Sequence, residues 1–470
     1  MSVFTKASFV LVAIVSAVPI CAATLGISAD GRHFTINGVP TFLNGISYYA
    51  GLSANSTFVT KDLDDIKARH LNWIRVWTFW GDGKDGSFAA LTREGEVREP
   101  YMGRLKSLIE ECNKRELIVD VTMSHGNEPA PGDQTQHLAC AKTLAKELKP
   151  YRNVYIDVSN ERDVGDARFV SVEDVGKLIT AIKSIDPTRI CTASGTPGSR
   201  DDLGKFLTVG KLDFIATHLG RDPGDPAKTV GRVREFIGWM KQLGRRVPIH
   251  LQEPFRRGYT PGWEPAVDDY FRDCTGAKIA DAAGWCLHNG SNRNSSDHKP
   301  QRSFRMTDAD GRLFDQLDEV ERIVAKGIDE QIGGVKTNVL RYQVEYKEQA
   351  ETNSDKNGQR DGSSWRFDTD KDELGHIWPT TPELPAGKYH VTWRMLTDED
   401  RPDDTPVADI LIRHDNERAA FRKITYADLT RGRWQEFSLD AVIDRPGPLE
   451  LMMYWPGNCG LELDWVTLSP

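Results

Sequence analysis

From residue 41 to residue 287 the chain alternates between two hydrophobic rhythms. Short runs with strand character, 41–48, 72–79, 117–123, 153–159, 189–193, 213–217, 247–252 and 282–287, alternate with stretches whose apolar residues recur three and four positions apart. Leu105, Leu108, Ile109 and Cys112 make one such helical face; Val175, Leu178 and Ile182 make another. Strand and helix in regular alternation predict parallel strands joined by right-handed crossovers. Eight units over roughly 290 residues match a (β/α)8 TIM barrel in number and size. A doubly wound open sheet fits less well, because it usually has fewer strands and no GxGxxG follows the first run. Ahead of the barrel, Phe34-Thr35-Ile36 followed by Asn37-Gly38 reads as a short hairpin.

The helical rhythm ends after Ile328, and Gly333-Gly334 marks a break. Beyond a polar, glycine-punctuated stretch at 351–364 come short alternating runs at 389–395, 407–413, 434–439, 449–454 and 461–468. Turn signals such as Pro385-Ala386-Gly387 and Pro446-Gly447 separate them, which predicts an all-β sandwich. The expected organisation is a signal peptide at 1–23, a catalytic barrel at 24–332 and a sandwich at 333–470.

The signal expectation rests on the apolar run from Phe9 to Ile20, behind Lys6 and before Cys21-Ala22-Ala23. The run is too short to span a bilayer comfortably. A secreted or periplasmic protein with no membrane attachment after cleavage is therefore expected. Loss of that segment removes one lysine and no acid, so the net charge moves from −9 to −10. Nucleic-acid binding needs clustered Lys and Arg, and no basic stripe is present. Six cysteines stay in the mature chain, with no CxxC spacing; neither HExxH nor a paired-cysteine zinc pattern occurs. No catalytic metal or cofactor is expected.

In an eight-stranded barrel the chemistry sits at the C-terminal strand ends. The fourth run ends Asp157-Val158-Ser159-Asn160-Glu161, and the seventh ends Ile249-His250-Leu251-Gln252-Glu253. By parity Val154, Ile156 and Val158 face the helices, while Asp157, Ser159 and Glu161 face the axis. Two carboxylates across one barrel mouth are what glycosidic cleavage uses: one protonates the leaving oxygen, and the other attacks or supports the anomeric carbon. Either residue alone is as well explained by a loop salt bridge; the pair is not.

This ordered set resembles the retaining glycoside hydrolases of the (β/α)8 clan, the cellulase-like family 5 and its relatives. Asn160-Glu161, Glu253, the opening Asn37-Gly38-Val39-Pro40 to Leu43-Asn44-Gly45-Ile46-Ser47-Tyr48, and Asn72-Trp73-Ile74-Arg75-Val76 carry the likeness. The resemblance implies a carbohydrate substrate, Glu161 as acid/base, Glu253 as nucleophile, and Asn160 on the hydroxyl beside the anomeric carbon. A catalytically silent carbohydrate-binding barrel is the alternative. The other expected substrate-binding positions are Arg75, His125, His218 and Trp285. Arg75 would also hold Glu253 ionised, and Trp285 would floor a pyranose ring unless it is a core residue. His288 and Asn289 are weaker rim candidates. The sequence departs from the family's pattern at His218-Leu219-Gly220 and at Pro254-Phe255-Arg256-Arg257, where two arginines make an acidic sugar conceivable. The C-terminal stretches 387–394 and 461–468 resemble carbohydrate-binding modules with a jelly-roll shape. That likeness implies a structural calcium near Glu345 and Asp464, and sugar stacking on Trp378 or Trp455.

Overall fold

The computed structural model describes residues 23–81, 88–290 and 304–470. The expected export signal, apart from Ala23, lies outside the described residues. Eight strands form one sheet: Leu43–Ser47, Trp73–Trp77, Ile118–Thr122, Val154–Asp157, Cys191–Thr192, Ile215–His218, Ile249–Glu253 and Gly284–Leu287. They are called strands one to eight below. Each strand runs parallel to its hydrogen-bonded neighbours, in the order five-four-three-two-one-eight-seven-six. The two ends of that path meet where Asp213 N–H donates to the Cys191 carbonyl at 3.0 Å and Gly195 N–H to the Ala216 carbonyl at 3.1 Å. These two bonds close the barrel.

The strand-four parity holds. Val154, Ile156 and Val158 pack into the same core as Leu144 and Leu148 of helix Gln134–Leu148 and Leu178 and Ile182 of helix Val172–Ile185. Tyr155 and Asp157 turn inward. The barrel interior is layered. Its lower part is apolar, with Leu43, Trp73, Ile118, Tyr155 and Phe214 gathered in one buried cluster. Phe34 plugs this end from below, its ring edge-on to Phe214 at 4.9 Å. It is delivered by the predicted hairpin, whose strands Phe34–Ile36 and Val39–Thr41 turn at Asn37 and Gly38, both at positive φ (53° and 81°). That geometry suits a two-residue turn with glycine second.

The C-terminal part is built of two antiparallel sheets, of six and five strands. Gly387–Leu396, Leu461–Ser469 and Gln435–Ile443 lie in the first; Pro406–His414, Leu449–Trp455 and Glu417–Thr425 lie in the second. Their inward residues, among them Val391, Trp393, Leu463, Ile410, Leu451 and Met453, are fully buried and share one core, as stacked sheets require. The barrel and this sandwich are joined by ion pairs, including Arg272 to Glu348 at 2.6 Å and Arg360 to Asp268 at 2.8 Å.

Two expectations for the sandwich are corrected. Trp455 is fully buried, stacks on Phe367 at 5.3 Å and donates to the Cys459 carbonyl at 2.7 Å, so it offers no face to a sugar. Trp378 is partly exposed. Asp464 is already neutralised by Arg394, which leaves buried Glu345, pushed up to about 8 chiefly by burial, without a second carboxylate for a calcium cage. The donor set does not fit that ion. The cysteines at 112, 140, 191, 274, 286 and 459 are buried free thiols.

Candidate active site

Above the apolar plug lies a polar layer centred on Arg75 of strand two, which has no solvent exposure. Its Nε donates to Thr122 Oγ1 at 2.8 Å, and one terminal nitrogen reaches Asp157 at 3.1 Å and Asn160 Oδ1 at 2.8 Å. The other terminal nitrogen donates to Glu253 Oε1. Gln252, Asp120 and Tyr155 extend the same network; Tyr155 donates to Asp120 at 2.9 Å. Arg75 is thus a support beneath the mouth. The expectation that it binds substrate directly is corrected, because its guanidinium is wholly covered and spent on Glu253, Asn160, Asp157 and Thr122.

Glu161 and Glu253 come together at the mouth as their strand ends implied. Asn160 N–H donates to the Met123 carbonyl at 2.8 Å, and Glu161 then adopts a left-handed backbone, φ 49°. Such a conformation is unfavourable for a residue with a Cβ by about 1 kcal/mol and is typical of functional turns. Glu161 N–H is held by Ser194 Oγ at 3.1 Å. Oxygen atoms of Glu161 and Glu253 and a ring nitrogen of His218 all lie within 4.8 Å of one another. Among the described residues this is the one group with metal-ligand spacing, and the cation lying against both carboxylates is a guanidinium. Arg221, from the loop after strand six, places one nitrogen 3.2 Å from Glu161 and 2.8 Å from Glu253.

The protonation states follow from hydrogen bonds. Gln252 spends its amide N–H groups on Asp120 and Asp157, so its Oε1 accepts, and His218 Nε2 must donate to it at 3.1 Å. His218 Nδ1 faces Glu161 at 3.5 Å and Glu253 at 3.6 Å. It carries a proton there only when the ring is cationic. His288 Nδ1 donates to the Pro254 carbonyl at 2.9 Å, so its Nε2 is bare and accepts from Arg256 at 3.1 Å. Burial keeps His288 well below the usual imidazole range, hence neutral at pH 7.

Burial would push the Glu253 carboxyl up, but His218, His288, Arg75 and Arg221 outweigh it and hold it well below the carboxylate range. With His288 neutral at pH 7, the Arg75 and Arg221 guanidiniums remain as charges that favour the ionised form of Glu253. Glu161 is also lowered, because the His218 hydrogen bond and the charges of His218 and Arg221 exceed burial and the repulsion of Glu253. Arg168, from the loop after strand four, donates to its other oxygen.

The remaining candidates divide. His218 lies between the carboxylates. His125 is partly exposed at its strand end, its Nδ1 bonded to the Ala167 carbonyl at 3.1 Å and its ring stacked on buried His137 at 5.1 Å; it touches neither carboxylate. Trp285 is corrected. Gly284 and Cys286 hold the inward parity of strand eight, so Trp285 faces the helices, fully buried, with Nε1 bonded to Asp273 Oδ2 at 2.6 Å. Trp80, partly exposed beyond strand two and packed on Tyr49 at 5.0 Å, is one aromatic ring near the mouth. Asn289 is fully buried, and its amide atoms make no hydrogen bond. Sequence reasoning missed Arg168, Arg221 and Trp80. Arg221 and Trp80 carried a positional signal, standing just past the ends of strands six and two, whereas Arg168 lies well inside the loop after strand four and carried none.

No family model and no curated protein matches the chain. Solved structures do share its fold. A glycoside hydrolase family 5 protein from Bacteroides vulgatus aligns over 94% of this chain and 92% of its own, with TM-score 0.55 and 15% identity. A structure described as a glycoside hydrolase covers 95% and 97%, with TM-score 0.54 and 16% identity. A putative glycoside hydrolase from Bacteroides vulgatus covers 96% and 83%, with TM-score 0.55 and 12% identity. The likeness extends over barrel and sandwich together, so the whole two-part architecture is one that those glycoside hydrolase structures also have.

Proposed function

We propose that the chain is a glycosidase that cleaves O-glycosidic bonds of an oligo- or polysaccharide with retention of configuration. Glu253 is the nucleophile and Glu161 the acid/base. The observation that carries this reading is the pair of carboxylates from strands four and seven, with oxygens within 4.8 Å of each other and Glu253 held ionised by Arg75. Retaining enzymes keep their carboxyl groups about 5–5.5 Å apart, whereas inverting enzymes need room for a water between them. The description of the structural neighbours as glycoside hydrolases supports the same class.

In this reading the sugar ring rests near Trp80, and Asn160, fixed by Arg75, meets the hydroxyl beside the anomeric carbon. Glu253 attacks that carbon as Glu161 gives its proton to the departing oxygen. Glu161 then takes a proton from the water that releases the sugar. Export through residues 1–23 and a sugar-binding role for the sandwich belong to the same proposal. A 2-deoxy-2-fluoro glycoside of the correct sugar should label the peptide containing Gln252-Glu253-Pro254, because fluorine slows breakdown of the ester. Glu253→Ala should be nearly inactive and partly rescued by azide, giving a glycosyl azide of inverted configuration. A wild-type product of inverted configuration would remove Glu253 from the nucleophile role.

A further inference from the structure

The two arginines that follow strand seven are not equivalent. Arg257 is fully used within the fold: its Nε donates to Asp318 at 2.5 Å and a terminal nitrogen to the Pro265 carbonyl at 2.6 Å. Arg256 has no carboxylate within ion-pairing distance among the described residues. Its terminal nitrogen meets only the neutral acceptors Tyr49 Oη at 3.2 Å and His288 Nε2 at 3.1 Å, and its buried Nε makes no hydrogen bond. Glu253 is near enough to raise the Arg256 pKa but makes no ion pair with it, so this largely covered guanidinium has no direct carboxylate partner among the described residues, and its planar fork is shaped for a carboxylate or an oxyanion.

A second cation stands beside it. Arg256 lies over the Tyr259 ring at 4.6 Å, and Arg221 lies over the same ring at 4.7 Å. Two like charges are thereby held on one aromatic support next to Glu253. Arg221 is at the same time the group that spans Glu161 and Glu253, where the scissile bond must lie. A substrate has to draw it away from both carboxylates. A neutral sugar offers Arg221 no replacement for those partners, whereas an anionic one supplies a counter-charge a short distance away. The protein as a whole carries a net charge of −9, so this cationic cluster is local rather than a reflection of general basicity.

We propose that the sugar taken at this site carries an anionic group, a uronic carboxylate or a sulfate ester, which Arg256 and Arg221 bind together over Tyr259. This deepens the glycosidase reading above and rests on it for the reaction, though not for the binding. Entry of the anion frees Glu161 and Glu253 for catalysis, which makes the charge a condition of turnover as well as of affinity.

The test compares nitrophenyl glycosides in matched sets, each sugar as the neutral hexoside, the uronide and the 6-sulfate, in both anomeric forms. Binding of free uronic acids, hexose 6-sulfates and neutral hexoses to the wild-type protein is measured alongside by calorimetry. One anionic series should exceed its neutral counterpart in kcat/KM by roughly 100-fold, since a site built around a charged partner rejects the analogue that lacks it. The uronide and sulfate arms identify which anion it is. Arg256→Gln should erase the preference while Arg256→Lys keeps part of it; if Arg256→Gln does not fold, the lysine variant and the wild-type ratio decide. Neutral hexosides cleaved faster than both anionic forms, or equal losses on neutral and anionic substrates in Arg256→Gln, would overturn the inference and leave the glycosidase standing. Acidic sugars bound through Arg256 with no glycoside cleaved would uphold it and overturn the glycosidase. If no anionic sugar is either bound or cleaved, the inference falls.

Discussion

Arg75 and Glu253, 178 positions apart in the chain, meet in a buried ion pair in which one guanidinium nitrogen donates to Glu253 Oε1. The contact links strand two to strand seven across the barrel axis and fixes the charge state of one of the two carboxylates. Replacing the arginine is therefore felt both in the fold and in the reaction. Arg75→Met should raise the pKa of Glu253 and move the acidic limb of the kcat/KM profile upward, because the nucleophile role proposed for Glu253 requires its ionised form. It should also destabilise the protein by about 3–5 kcal/mol, the cost of leaving a buried partner charge uncompensated. A limb that stays in place while the melting temperature falls would make Arg75 purely structural.

In the proposed mechanism Glu161 has to be protonated to assist departure of the leaving group, and its neighbours oppose this. The His218 hydrogen bond, with the charges of His218 and Arg221, lowers its pKa against burial. Activity of the free enzyme should consequently fall as pH rises through a value below the ordinary glutamate range, placing the optimum of kcat/KM in acid. Arg168 donates to the second Glu161 oxygen. Arg168→Gln removes a cation that favours the ionised form, so the basic limb should move toward neutral pH. A basic limb unchanged by this substitution would separate Arg168 from the chemistry.

The acid role proposed for Glu161 has its own signature. In Glu161→Gln, aryl glycosides with good leaving groups should retain far more activity than alkyl or natural glycosides, since only poor leaving groups need the proton. General acid catalysis contributes roughly 100- to 10,000-fold, and the loss on natural substrates should fall in that range. Equal losses on both substrate classes would assign the proton to another group.

Trp285 and Asp273 give a prediction about stability. Asp273 is buried under strand eight, accepting from Trp285 Nε1 at 2.6 Å and from Thr229 Oγ1, and burial raises it from 3.8 to about 7. The folded chain therefore keeps a proton that the unfolded chain gives up between about pH 4 and 7. Its stability falls as pH rises through that window. Asp273→Asn, which cannot ionise, should flatten the pH dependence of the melting temperature between pH 5 and 8. Trp285→Phe should cost about 1–3 kcal/mol by leaving Asp273 short of a donor, with KM for a glycoside unchanged. A large rise in KM would restore Trp285 as a substrate contact.

The eight barrel strands were legible because each is buried on both faces and so reads as an apolar run of the right length. Val154–Asp157 falls inside the interval visible in the sequence and Ile249–Glu253 runs one residue past its own; Glu253 closes the latter strand and Glu161 follows the former. Glu417–Thr425 was not legible. It is an edge strand with mostly exposed side chains, and its place is set by pairing with Pro406–His414 rather than by its own pattern. Trp285 was misread because the parity that sorted strand four was not carried over to strand eight. Arg168 and Arg221 escaped because they stand on loops. The strand pattern locates where such a loop begins, not which of its side chains turns back over the mouth.

The Phe34 plug has a consequence for how the barrel exchanges with solvent. With the lower end stoppered by Phe34, Phe214 and Tyr155, the polar layer above it is a vessel open at one end. Asp120 sits in that layer, raised by burial toward the range where it changes charge near neutrality, and any proton it gains or loses must travel past Glu253 and the mouth. A sugar seated over the carboxylates, as proposed, would cover the other end. In the glycosidase reading, a seated sugar therefore stands between Asp120 and the solvent with which it would exchange a proton.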